Sequence, residues 1–156
     1  MAVKPKFGIV DTTFSRINLG DIAQDELKRF GFRAIRRTVP GIKDIPVTAK
    51  KLLEDDGCDI VITLGWVGGT QKDLLSYLVL SMGLVMVQLM TNKHVIDVTV
   101  HEDEAENEKE LIQLAENRVR EHVQNAVKLM VYPKQLIKEA GTGQRQGFED
   151  VGPIMR

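Results

Sequence analysis

His101-Glu102-Asp103 sets an imidazole beside two carboxylates. Histidine is the side chain suited to carrying a proton in catalysis, which makes His101 and Glu102 the candidate acid–base groups. The same acidic run also suits the solvated start of a helix, where carboxylates complement the dipole. Other reactive arrangements fail on spacing. Cys58 is the single cysteine, so neither an intramolecular disulfide nor a multi-cysteine zinc site can form. No HExxH or other close histidine pair offers a zinc site, and His94 and His101, an odd number apart on one expected strand, point to opposite faces. GWVGGTQK has Gln71 where a phosphate loop needs a glycine, and GTGQRQG follows a helix instead of the strand a dinucleotide turn requires.

These residues must be positioned by alternating strands and helices. Strands are expected at Phe7–Val10, about Arg33–Val39, Asp59–Leu64 and Val95–Val100. Helices are expected at Leu19–Phe30, Ile45–Glu54, roughly Gln71–Met90 and about Glu104–Val131, the last broken by Pro133. Asp44 suits an N-cap, with Pro46 in the first turn, and Gly65–Gly69 reads as a glycine-rich turn. Strand then helix, four times over, predicts an α/β fold: a four-stranded parallel sheet with helices on both faces. Ligands of such sheets lie beyond the carboxyl ends of the strands. Those ends are Asp11 to Phe14, Pro40 to Lys43, Gly65 to Gly68, and His101 to Asp103. Residues 1–140 read as one domain and 141–156 as an irregular, glycine-bearing tail.

A chain of 156 residues that is 43% hydrophobic and 28% charged is a globular domain and not a disordered one. Its net charge of -1 gives no basic face for nucleic acid, and 5% aromatics make a single-strand stacking platform an unlikely design. MAVKPKFGIV has too short an apolar core for a signal peptide, so the expected setting is the cytoplasm.

Leu74–Met90 is apolar almost all the way round, with Ser76, Ser81 and Gln88 as its polar residues. A membrane span is marginal at that length. The reading favoured here is a helix with one face on the sheet and another on a second subunit, because a monomer would expose an unusually large apolar patch. The last helix instead has one apolar face, Leu111, Leu114, Ala115, Val119, His122, Ala126, Leu129 and Met130, with Glu116 and Arg120 paired on another. His122 is expected to be a hydrogen-bonded core histidine.

FGIVDTTFSR, RTVPGIKDIPVTAKKLLEDDGCDIVITLG, QLMTNKHVIDVTVHEDEA and GQRQGFEDVGP together resemble the archaeal riboflavin synthases, small enzymes similar to lumazine synthase. The resemblance covers nearly the whole chain. It implies a flavodoxin-like three-layer α/β/α sandwich, a homopentamer with active sites between subunits, and dismutation of two 6,7-dimethyl-8-ribityllumazine molecules without an organic cofactor. It also suggests stimulation by Mg2+ or another divalent cation; Asp103 and Glu104 give no assured octahedral set, so the metal stays open. Phe14 matches the aromatic residue that stacks on the heterocycle, flanked by the hydroxyls of Thr12, Thr13 and Ser15. The turn Pro40-Gly41-Ile42-Lys43 and Asp44 match the contacts to the ribityl chain. Gly65, Trp66 and Val67 match the backbone that reads the pyrimidine edge, and the Trp66 indole is placed to cover a flat ring or to be buried at an interface.

Lumazine synthase follows this strand with an Arg-Gly pair for its substrate phosphate and then a histidine. Here the segment is Gly68-Gly69-Thr70-Gln71-Lys72-Asp73, which favours a substrate without phosphate. The tail, with Arg145, Gln146 and Phe148, is expected to fold over the site, its own or a neighbour's. The alternatives to riboflavin synthase are lumazine synthase and a non-catalytic lumazine or flavin carrier.

Overall fold

The computed structural model of the protein describes residues 4–155; the first three residues of the expected domain and Arg156 of the expected tail lie outside them. Four parallel strands, β1 (Phe7–Thr12), β2 (Ala34–Val39), β3 (Ile60–Val67) and β4 (His94–His101), form one sheet in the order β2-β1-β3-β4. Helices α1 (Leu19–Arg29) and α4 (Glu108–Val131) cover one face, and α2 (Ile45–Glu54) and α3 (Gln71–Thr91) the other. A short α5 (Pro133–Glu139) leads into the tail. This is the α/β/α sandwich expected from the alternating pattern.

β3 explains the layering. All eight of its residues are buried, as a central strand between two helical layers requires. Alternation sends Ile60, Ile62, Leu64 and Trp66 into the α1/α4 core, while Val61 joins the α2/α3 core with Leu52, Leu80 and Leu84. Phe7 of β1 stands opposite Ala34 on one side and Ile60 on the other. The chain leaves β1 toward β2 and returns to β3 on the far side, so a crevice opens at the carboxyl ends of β1 and β3.

β1 runs on to Thr12 and β4 gains one residue at each end, and three further boundaries differ from expectation in ways that bear on the site. Gly65–Val67 belongs to β3 and not to a turn, because β3 and β4 stay paired to Val67 opposite His101. Glycine serves packing at position 65: a Cβ there would stand 3.0 Å from the Thr99 hydroxyl. The last long helix begins at Glu108, four residues after the expected Glu104. Glu102–Glu104 forms a separate 3₁₀ turn, and Asn107 caps α4 by accepting the Glu110 N–H at 2.9 Å. Pro133 ends α4 and also opens α5, where its fixed φ suits a first turn.

The two long helices have different surroundings. α4 sets Val119, Val123, Ala126 and Val127 into the core, and Glu116 and Arg120 pair at 3.1 Å on its wet side. α3 buries only Leu80, Leu84 and Val87, while Leu74, Leu78, Val79, Met82, Met86 and Leu89 are each more than half exposed in the single protomer. By length and a mean hydropathy of 1.9 this helix could cross a membrane. It is, however, the crossover between adjacent strands β3 and β4, with Leu80 and Leu84 packed into the layer over the sheet.

Candidate active site

Three of the four expected strand tips meet in one crevice of about 250 Å³, lined by Phe14, Gly41, Ile42, Lys43, Asp44, Trp66, Val67, Asp73 and Ser76. Phe14 stands on its rim, 57% exposed, where ordinary core packing would have buried it. The turn before it makes this so. The buried Thr12 hydroxyl accepts the Ser15 N–H at 3.2 Å, the Ser15 hydroxyl donates to the Ile17 carbonyl at 2.6 Å, and Thr13 N–H donates to Val39 at 2.9 Å. Thr12, Thr13 and Ser15 thus shape the loop that presents the ring, and they do not line the crevice.

The opposite wall is a 3₁₀ turn at Ile42–Asp44. Asp44 stands one residue before α2 but its carboxylate caps no N–H of that helix. It accepts the Gly41 N–H at 3.2 Å instead, closing the turn on itself. Pro40 lies outside the lining; its carbonyl takes the Thr13 hydroxyl at 3.4 Å and ties the two tips together. Gly65 is likewise buried beneath the crevice.

Trp66 departs from expectation. Its ring is 1% exposed within the protomer's own α1/α4 core, so the indole covers no ligand and sits at no interface. The residue borders the crevice from the strand, and Nε1 donates to Glu102 at 2.7 Å. Glu102 also meets Arg16 at 3.3 Å. His101 and Glu102 line no part of the crevice. The His101 ring packs edge-on against Tyr77 of α3, centroids 4.6 Å apart, next to Ser76 on the crevice wall.

Asp73 and Ser76 are the lining residues that sequence reasoning missed. The signal was the Thr70-x-x-Asp73 capping box: the Thr70 hydroxyl accepts the Asp73 N–H at 3.2 Å, and the Asp73 carboxylate takes the Thr70 N–H at 3.0 Å and its hydroxyl at 2.6 Å. The Thr70 hydroxyl and N–H hold the Asp73 carboxyl below the usual carboxylate range. The Asp73 carboxylate thus takes the Thr70 N–H at the start of α3 and places negative charge where a helix N-terminus could otherwise attract a phosphate. The lining carries one cation, Lys43, against the carboxylates of Asp44 and Asp73.

Among the described residues no group of three or more His, Cys, Asp or Glu side chains is arranged to hold a metal ion. The tail lies along α4 of its own protomer and contributes nothing to the crevice lining. His122 is a core histidine as expected, 7% exposed, its Nδ1 2.7 Å from the Arg118 carbonyl, and burial lowers its pKa.

An α/β/α sandwich with an aromatic-rimmed crevice at the β1/β3 tips defines a flavodoxin-like small-molecule binding protein. The chain belongs to the 6,7-dimethyl-8-ribityllumazine synthase family, whose model matches residues 4–134. It is 74% identical to the riboflavin synthase of Archaeoglobus fulgidus over 97% of this chain and 99% of that one. The riboflavin synthase of Methanothermobacter thermautotrophicus is 50% identical over 96% of this chain and 99% of its own. A 6,7-dimethyl-8-ribityllumazine synthase of Methanopyrus kandleri is 35% identical over 44% of this chain and 52% of its own.

Proposed function

We propose that the protein is a riboflavin synthase that dismutates two molecules of 6,7-dimethyl-8-ribityllumazine. One lumazine gives a four-carbon unit to the other, yielding riboflavin and 5-amino-6-ribitylamino-pyrimidinedione. The two substrates supply every atom and electron of both products, so the balance needs no outside oxidant, reductant or organic cofactor. The observation that carries this reading is a crevice lined by both the exposed Phe14 ring and the Asp73 carboxylate at the start of α3. That arrangement suits a flat, uncharged heterocycle and opposes the phosphate that lumazine synthase must bind.

Phe14 stacks on the heterocycle, the Gly41–Asp44 turn holds ribityl hydroxyls, and the β3 end at Trp66 and Val67 reads the pyrimidine edge through its backbone. Holding two rings in register lowers the barrier by removing their relative freedom, an effect worth on the order of 7–11 kcal/mol in well-oriented reactions. His101, at the β4 tip outside its own protomer's crevice lining, carries the proton where a neighbouring subunit's substrate meets that tip, and Glu102, tied to Trp66 and Arg16, fixes the turn beside it. Protomers pair through the apolar face of α3 in a homopentamer, which sets one subunit's crevice against its neighbour. The enzyme works in the cytoplasm on a small molecule, not on nucleic acid or a membrane.

Incubation with dimethyl-ribityllumazine alone should give riboflavin and the pyrimidinedione in equal amounts. Conversion that requires butanone phosphate and the pyrimidinedione would identify a lumazine synthase, and binding without conversion a carrier. His101→Ala should lose turnover; a full rate in that variant would remove His101 from the role.

A further inference from the structure

One buried arginine connects the C-terminal tail to the strand tip that carries His101. Arg118 of α4 is 3% exposed. Its Nη1 donates to the Thr99 carbonyl at 3.0 Å and to the Glu104 carboxylate at 2.5 Å. The Glu104 carboxylate also accepts the His101 backbone N–H at 3.2 Å, which closes the 3₁₀ turn that bears Glu102. Arg118 Nε and Nη2 have no hydrogen-bond partner among the described residues. A guanidinium taken out of water with so few acceptors is poorly compensated. The Phe148 ring lies over it, with the guanidinium carbon 4.4 Å from the ring centroid, and supplies a cation–π contact where hydrogen bonds are missing.

The tail is shaped to put that ring there. Gly147 has φ of +75°, and a Cβ at this position would lie 2.6 Å from Arg118 Cγ, so glycine is what lets the backbone press against the arginine. Its N–H donates to the Glu121 carboxylate, and the Asn125 amide donates to Gln146 at 2.9 Å. Arg145 N–H donates to the Asp150 carboxylate at 2.9 Å, which folds the segment around Phe148. These contacts seat a short loop on three side chains of α4, Arg118, Glu121 and Asn125.

We infer that Arg118 and Phe148 are positioning residues for the reaction: the ring seated on the guanidinium fixes Glu104, and through Glu104 the turn of His101 and Glu102. This inference rests on the riboflavin synthase reading, because the turn matters to turnover only if the proton moves at that strand tip. Neither residue lines the crevice. Loosening them therefore slows the reaction and leaves substrate affinity in place.

The test uses the full-length assembled protein with dimethyl-ribityllumazine. Phe148→Leu keeps an apolar side chain and removes the ring face; kcat should fall about tenfold with KM within about twofold, and Phe148→Trp should restore it. Glu104→Gln interrupts the same path, so the double variant with Phe148→Leu should be no slower than the slower single variant, whereas independent effects would multiply. An unchanged kcat in Phe148→Leu, multiplying effects, or a loss that follows disassembly and that tryptophan does not rescue would each overturn the inference. A wild-type protein that forms no riboflavin would instead remove the function reading on which it rests.

Discussion

α3 and α4 are the two long helices of the protein, and they are completed in different ways. α4 finds its partners within the chain: the sheet beneath it, Arg120 reaching Asp25 of α1 at 2.9 Å, and the tail laid along its outer side. α3 presents Leu78, Met82 and Met86 to the outside, each more than half exposed among the described residues. A fully exposed side chain of that kind gains ~1.5–3 kcal/mol when buried. Apolar exposure is thus concentrated along α3, and the crevice, lined by Asp73 and Ser76 of that helix, lies on the same side of the sheet.

The sharpest way to break this comparison is to make the α3 face polar. Met82→Glu combined with Met86→Glu should abolish assembly, read by sedimentation, and reduce turnover by about a hundredfold or more, while the monomer keeps its secondary structure. Matching charges on the exposed side of α4, such as Gln113→Glu, should leave both unchanged. Phe14→Ala comes next: KM should rise about tenfold, since an aromatic stack contributes ~0.5–1.5 kcal/mol beyond its buried area. Its thermal stability should stay within ~0.5 kcal/mol of wild type, because the ring is largely exposed.

Smaller effects separate the helix ends. Thr70→Ala should cost ~1 kcal/mol by removing the hydroxyl that caps α3. The Asp73 carboxyl has a lowered pKa, so its contribution is present above the ordinary carboxylate range and is lost as pH falls through its folded value. The melting-temperature deficit of Asp73→Asn should therefore shrink in acid. His122 gives the smallest signal, on α4. Burial lowers its pKa, so the unfolded chain takes up the proton first as pH drops. Wild type should lose stability as pH falls through the ordinary histidine range toward the lower folded value, and His122→Gln should flatten that slope in a series of thermal melts.

The two helices also show how far the sequence could be read. The all-round apolarity of Leu74–Met90 announced a helix with apolar residues on more than its sheet-facing side, and the single stripe of α4 announced His122 in the core. Both patterns are local and periodic, so they survive without tertiary information. The end of β3 was not legible. Gly65 resembles the start of a turn, and only its pairing with Thr99 across the sheet shows that the strand continues. Trp66 was misplaced for the same reason, since a one-residue step along a strand exchanges crevice for core. The family resemblance supplied Phe14 and the Gly41–Asp44 turn, which the structure brings together. Asp73 and Ser76 were missed because they belong to a helix start whose capping box was written in the sequence but not connected to a site.

Crossover labelling tests the central claim most directly. An equal mixture of unlabelled dimethyl-ribityllumazine and one carrying heavy carbon throughout its ring and methyl groups is converted, and the riboflavin is weighed by mass spectrometry. If one lumazine gives four carbons to another, mixed riboflavins must form, bearing a labelled unit on an unlabelled frame and the reverse. Riboflavin confined to the two parent labelling patterns, or none at all, would contradict the account.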